Sequence, residues 1–199
     1  MRFHRSQRPR QRAVARRIAA LEWALEQAQH QLHHDDLTPL LNRRGFQRAC
    51  DRQAGAHNVS ICCVMIDLDG FKGINDHHGH PVGDAALVHF ATTLRQHMRP
   101  SDAIARMGGD EFALVLPDCN ARDAHRMLER LRHALIESPL STPSGSLVLR
   151  FSTGIVDRHP DESLAKALAR ADAALLEAKR QDKARQRTCR PPRPEATRQ

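Results

Sequence analysis

The sequence predicts an α/β domain, and three features predict it. Arg106-Met-Gly-Gly-Asp-Glu-Phe-Ala-Leu-Val-Leu-Pro117 reads as a β-hairpin. Gly108 and Gly109 can take the positive φ of a tight turn, and Phe112–Leu116 is apolar on both faces, as in a central strand that Pro117 stops. Ile61-Cys-Cys-Val-Met-Ile66 is a second buried-strand run, broken abruptly by Asp67-Leu-Asp69-Gly70. Between and beyond these strands, apolar residues recur at helical spacing.

In chain order, Val14, Ile18, Leu21, Leu25, Ala28 and Leu32 alternate spacings of four and three, the a/d pattern of a coiled coil, with Trp23 off the seam. The run spans under three heptads, so it is either a dimerising stalk or a helix packed on its own domain. Asp35–Thr38 followed by Pro39 reads as a helix start, continued by Asn42–Cys50. Ala54–Asn58 is a loop before the first strand. Asp-His-His-Gly-His80, with His77 and His78, reads as a loop without metal-site spacing. Leu87, Phe90, Leu94 and Met98 mark the buried face of a helix that ends at Arg99-Pro-Ser-Asp102. Asp123–Glu137 is a helix with Met127, Leu131 and Leu135 inward, and Pro139–Gly145 is a loop. Leu147–Phe151 resumes the sheet. A last helix, about Ser163–Arg180, buries Leu164, Leu168, Ala171 and Leu175.

Composition sets the outer bounds. A chain of 199 residues, 40% hydrophobic, can bury one core of ordinary domain size with extensions. No apolar run approaches the roughly 20 residues of a membrane span, and the Arg-studded start lacks the apolar stretch of a signal peptide, so a cytoplasmic protein is expected. The five cysteines have no metal-site spacing, and reduced thiols are the default. The net charge of +8 is misleading. Residues 1–17 hold seven arginines and no acid, and residues 183–199 hold six Lys or Arg against Glu195, which leaves residues 18–182 at −4. With no Tyr and no basic patch interleaved with aromatics, a specific nucleic-acid face is not expected.

The acids carry the chemistry. Asp110 and Glu111 sit at the tip of the hairpin, and Asp67 ends the other strand. Adjacent carboxylates repel unless they share a cation or a proton, so acids fixed at the ends of two strands suggest divalent metal held against a nucleoside triphosphate, the two-metal arrangement of nucleotidyl transfer. At these residues the sequence resembles the GGDEF-domain diguanylate cyclases. Gly108–Phe112 matches the name-giving motif letter for letter. Asp35-Asp-Leu-Thr-Pro-Leu-Leu-Asn42-Arg43-Arg44 resembles the family's first motif, Asp67–Asp84 its metal and guanine segment, and Ala171–Lys179 its last helix. The resemblance covers roughly Asp35–Lys183.

The resemblance implies a mainly antiparallel central sheet wrapped by helices, like the polymerase palm and the nucleotidyl cyclases. With the heptad run and the composition of the two ends, it divides the chain into a basic N-terminus with an amphipathic or coiled-coil helix (1–34), the cyclase domain (35–183) and a basic, Pro/Arg-rich tail expected to be disordered (184–199). It implies condensation of two GTP into cyclic di-GMP with release of two pyrophosphates, in a homodimer, with two Mg²⁺ or Mn²⁺ ions per active site. Asp67, the Leu68 backbone carbonyl and Asp110 would be the metal ligands, and Glu111 or Asp110 would assist deprotonation. Lys72 would face the reacting phosphates. Asn75 and Asp84 would read guanine, and His80 would orient the nucleotide loop. Gly108 and Gly109 would line the GTP site, and Lys179 and Lys183 would face the terminal phosphates. Arg99 and Asp102 match the family's inhibitory product site. The family helix commonly relays a signal from an upstream sensor, but fewer than 40 residues precede the domain here, too few for one. The sequence departs from the family at Leu176, where a tyrosine is usual, and at Asp182-Lys183-Ala184, which replaces Gly-Arg-Asn. A lysine there supplies a point charge but not a bidentate fork.

Overall fold

Burial on both faces of one strand organises the protein, a computed structural model of which describes residues 7–54 and 59–188. The elements in chain order are α1 (Gln7–His33), α2 (Arg43–Ala54), β1 (Ile61–Leu68), α3 (Phe71–His78), α4 (His80–Gln96), β2 (Ala103–Gly108), β3 (Glu111–Pro117), α5 (Ala121–Glu137), β4 (Leu140–Thr142), β5 (Gly145–Leu147), β6 (Phe151–Asp157) and α6 (Leu164–Thr188). β1 is paired on both edges in a four-stranded sheet of order β2-β3-β1-β6, with every pairing antiparallel. This is the expected α/β (α+β) architecture, an antiparallel sheet covered by helices.

The period of two along a strand decides which helix each residue meets. Cys62, Val64, Ile66 and Leu68 face a core shared with Phe90 and Leu94 of α4 and Leu128 and Leu131 of α5. Ile61 and Cys63 face the opposite core, built from Phe46 and Cys50 of α2 and Ala167 and Ala171 of α6. Asp67 belongs to this second, odd-numbered face, so the last residues of β1 bring a carboxylate under α6. Burial pushes the thiol of Cys50 up to about 11 and that of Cys63 up to about 12, as inert core groups rather than reactive thiols.

The height of α6 over the sheet is set by Gly154. A Cβ on Gly154 would lie 1.9 Å from the Ala171 carbonyl oxygen and 2.4 Å from the Leu175 amide nitrogen, both backbone atoms that cannot swing aside. Gly154→Ala is therefore expected to destabilise the fold by about 1–3 kcal/mol through overpacking, read as a lowered midpoint in chemical denaturation. A midpoint unchanged from wild type would show that α6 can lift off β6 freely.

Four local expectations need correction. Thr38-Pro39 does not start a helix. The Thr38 amide and hydroxyl both donate to Asp35 Oδ1, at 2.9 and 2.7 Å, and the Asp35 amide donates to the Leu40 carbonyl, so the side chain of Asp35 folds the segment into a turn. The helix begins instead at Arg43, where Asn42 Oδ1 accepts the Gly45 amide at 2.9 Å as the N-cap. His77 and His78 close helix α3 rather than lying in a loop, and Gly79, with φ of 83°, makes the break before α4. Pro139–Gly145 contains strand β4, which pairs with β5 as a separate two-stranded hairpin, so the main sheet resumes only at Phe151. The last helix also runs past Arg180 to Thr188. Val14, Ile18, Leu21 and Leu32 on α1 are each half exposed or more, so the chain does not itself cover this part of the seam. The side chains of Leu25 and Ala28, the loop 55–58 and the tail 189–199 lie outside the described residues.

Candidate active site

The strand register assembles the acids. Asp67 lies opposite Glu111 of β3 on one side and Ser152 of β6 on the other, so three polar side chains form a row across the end of the sheet on the face that α6 covers. Directly opposed side chains on antiparallel strands are close neighbours. Asp110 is held one step further out, where its carbonyl accepts the Leu68 amide at 3.2 Å. Burial and the nearby charge of Asp67 push the Asp110 carboxyl above the ordinary carboxylate range. Lys179, reaching down from α6, forms an ion pair with Asp67.

The hairpin tip is fixed from an unexpected direction. Gly108 and Gly109 have φ of 146° and 55°, conformations closed to most side chains, and the β2–β3 pairing shifts register between Arg106 and Gly108. Arg106 Nε donates to the Gly109 carbonyl at 2.9 Å, and its Nη1 pairs with Asp35 Oδ1 at 3.1 Å. Burial opposes ionisation of Asp35, but hydrogen bonds from Thr38 and Arg106 outweigh it and hold the carboxyl below its usual value. The first motif thus braces the turn that carries the acids. Leu41 extends the brace: its amide donates to Ile104 and its carbonyl accepts from Arg106, along the outer edge of β2.

A cavity of about 580 Å³ opens at these strand ends. It gathers Asp67, Leu68, Lys72, Asp110 and Lys179, all expected from the sequence, together with Asp69, Arg150, Ser152 and Asp182. The N-terminus of α3 also faces it. Gly70, in the left-handed region with φ of 71°, supplies no side-chain cap, so the first amides of α3 lack intrahelical acceptors, as at phosphate-binding helix ends. Among the described residues no three His, Cys, Asp or Glu side chains cluster as a metal site. Two carboxylates and a carbonyl nevertheless fit a hard divalent cation that completes its shell with water and substrate phosphate, which is the habit of Mg²⁺.

The remaining expected residues lie outside this cavity. Glu111 is exposed beside Asp67. Asn75 is on α3, and a Cβ on Gly83 would meet Asn75 Oδ1 at 1.9 Å, so the Asn75 amide packs on α4 next to Asp84. His80 opens α4. The side chain of Lys183 lies outside the described residues.

Arg99 and Asp102 line a different cavity, also of about 580 Å³, with His97, Arg126 and Arg130. The Asp102 carboxylate accepts the Arg99 backbone amide at 2.7 Å, so this contact leaves the guanidinium uncommitted. Burial pushes the Asp102 carboxyl above its usual value. Arg126 and Arg130, four apart on α5, were not singled out from the sequence.

A family profile described as "Diguanylate cyclase, GGDEF domain" matches residues 32–185. Diguanylate cyclase TpbB of Pseudomonas aeruginosa is 40% identical over 159 residues, 76% of this chain and 36% of that protein. Diguanylate cyclase DgcM of Escherichia coli K12 is 36% identical over 159 residues, 77% of this chain and 38% of that protein. The chain therefore spans little more than a third of these curated relatives. Among solved structures, the coiled coil and GGDEF domain of DgcB from Caulobacter crescentus in complex with c-di-GMP superposes with a TM-score of 0.77 at 31% identity, covering 89% of this chain and 96% of that one.

Proposed function

The chain belongs to the GGDEF-domain diguanylate cyclase family, and from that premise we propose that it condenses two GTP into cyclic di-GMP and two pyrophosphates. The observation that carries the proposal is the joining of Asp67 and Asp110, with Lys72 and Lys179, at the ends of adjacent antiparallel strands. The 3′-hydroxyl oxygen of one GTP attacks the α-phosphorus of the other, the bond to the β-phosphate oxygen breaks, and the hydroxyl proton passes to a base. Glu111 or Asp110 takes that proton. Asp67, the Leu68 carbonyl and Asp110 would hold two Mg²⁺ or Mn²⁺ ions, which when bound neutralise phosphate charge and acidify the attacking hydroxyl.

Lys72 and the first amides of α3 bind phosphate, and Lys179, exchanging its pair with Asp67, binds the departing end with Lys183. Gly108 and Gly109 let the backbone approach the nucleotide. Asn75 and Asp84 read the guanine edge, because a carboxylate accepts from N1–H and N2–H₂ together while adenine lacks that donor pair, and His80, the first residue of α4, orients the nucleotide at the break between α3 and α4. Arg99 and Asp102 bind the product as feedback inhibitor, supported by Arg130 and Arg126, which line the same cavity. No helix among the described residues is long and apolar enough to cross a membrane. Use of GTP places the reaction in the cytoplasm.

Each domain offers one GTP site, so two must meet face to face in a homodimer, and the exposed seam of α1 supports that assembly. Purified protein incubated with GTP and Mg²⁺ should yield cyclic di-GMP and pyrophosphate in a ratio of one to two. GTP bound but unconsumed would instead mark a receptor. Deleting residues 1–33 should make activity per mole rise with enzyme concentration, since encounter becomes bimolecular. Activity per mole that stays flat over a hundredfold dilution of this variant would remove the stalk from the assembly.

A further inference from the structure

We propose that Arg150 is a phosphate-binding residue of the nucleotide site, gripping bound GTP beyond its α-phosphate. The inference rests on the reading of this cavity as a GTP site and names a group that the motifs leave out. Three cations among the described residues line the cavity: Lys72, Lys179 and Arg150. Lys179 is already paired with Asp67. Among the described residues no ion pair or hydrogen bond engages the guanidinium of Arg150, although the same cavity is lined by Asp67, Asp69, Asp110 and Asp182. An exposed arginine beside four carboxylates and free of all of them is available to an incoming anion.

Its backbone is not free. The Arg150 carbonyl accepts the Asp69 amide at 2.9 Å, which ties it to the segment joining β1 to α3. Two residues on, Ser152 Oγ donates to Asp69 Oδ1 at 2.6 Å, which engages one oxygen of that carboxylate. The side chain therefore starts from a fixed backbone point on the cavity that the start of α3 also lines. Arg132, the other arginine nearby, is committed elsewhere: it donates to the Phe151 carbonyl at 2.6 Å and lies over the Phe151 ring at 4.2 Å. Of the three lining cations, Arg150 alone carries a planar fork able to grip a phosphate through two parallel hydrogen bonds, where each lysine offers a point charge.

The test titrates the full chain, in Mg²⁺, with 3′-deoxy-GTP and separately with GMP. The first ligand lacks the attacking hydroxyl and so binds without turnover. Arg150→Ala should weaken 3′-deoxy-GTP about tenfold while GMP affinity stays within about twofold, and Arg150→Lys should recover part of the loss. Equal 3′-deoxy-GTP affinity in wild type and R150A overturns the proposal, as does an equal loss for both ligands, which would mark Arg150 as a support of the Asp69 segment. Wild-type protein that binds neither nucleotide overturns the GTP reading and this one with it.

Discussion

Asp67→Asn should lower GTP turnover by about 100-fold or more while leaving a folded protein. The substitution preserves shape on the central strand, where Asp67 is only 8% exposed between Glu111 and Ser152, so it removes charge rather than core volume. What is lost is one of two carboxylates at the strand ends, and charge stabilisation of this kind is worth several kcal/mol at the transition state, at roughly 1.4 kcal/mol per decade of rate. Lys179 loses its partner as well, so nucleotide affinity need not fall in step with rate. Asp110→Asn should behave alike. The measurement is product formation by purified variants whose thermal unfolding matches wild type, and wild-type rates in either variant would refute the assignment of these acids.

Arg99→Ala should keep initial GTP turnover near wild type but let progress curves run on after wild-type curves have flattened. The Arg99–Asp102 turn lies before β2, whose six residues lead to Gly108 and so separate the two cavities by about 20 Å. On the proposed reading, product bound there would not overlap substrate and would act instead on assembly, joining two domains so that their half-sites are held apart. Because Asp102 bonds to the Arg99 backbone amide and not to its guanidinium, truncation should spare the turn. It removes a charge-assisted contact of roughly 1.5–3 kcal/mol, or about a tenfold to hundredfold loss of product affinity. Arg126 and Arg130 in the same cavity set a floor to that loss. Superimposable progress curves, with added cyclic di-GMP inhibiting both proteins equally, would reduce the Arg-x-x-Asp to an ordinary surface turn.

The parts of this protein that could be read from sequence are those with a local signature. β1 and β3 show as apolar runs with hard stops, and their ends name Asp67, Asp110 and Glu111 without any knowledge of the register that opposes them. The partners across that register could not be read. Arg106 and Asp35 are 71 residues apart, and neither stretch hints at the other. Arg150 sits outside every motif and reaches the cavity only because β6 pairs with β1. Thr38-Pro39 misled because a proline suited to a first helical turn is equally suited to the turn that Asp35 closes, and the choice depends on a side-chain hydrogen bond that spacing does not encode.

β1 is hydrogen-bonded along both edges, whereas β2 lies at the border of the sheet, met on its outer side by the short bridge to Leu41. Amides at such a border exchange through local fluctuations, and those of a central strand open only with the whole unit. On the proposed function, acid and feedback turn would therefore stand on different rungs of protection, Asp67 on a strand held along both edges and Arg99–Asp102 beside one at the border. Restraint would then be the softer property of the two, and mild heat or denaturant would strip inhibition before turnover.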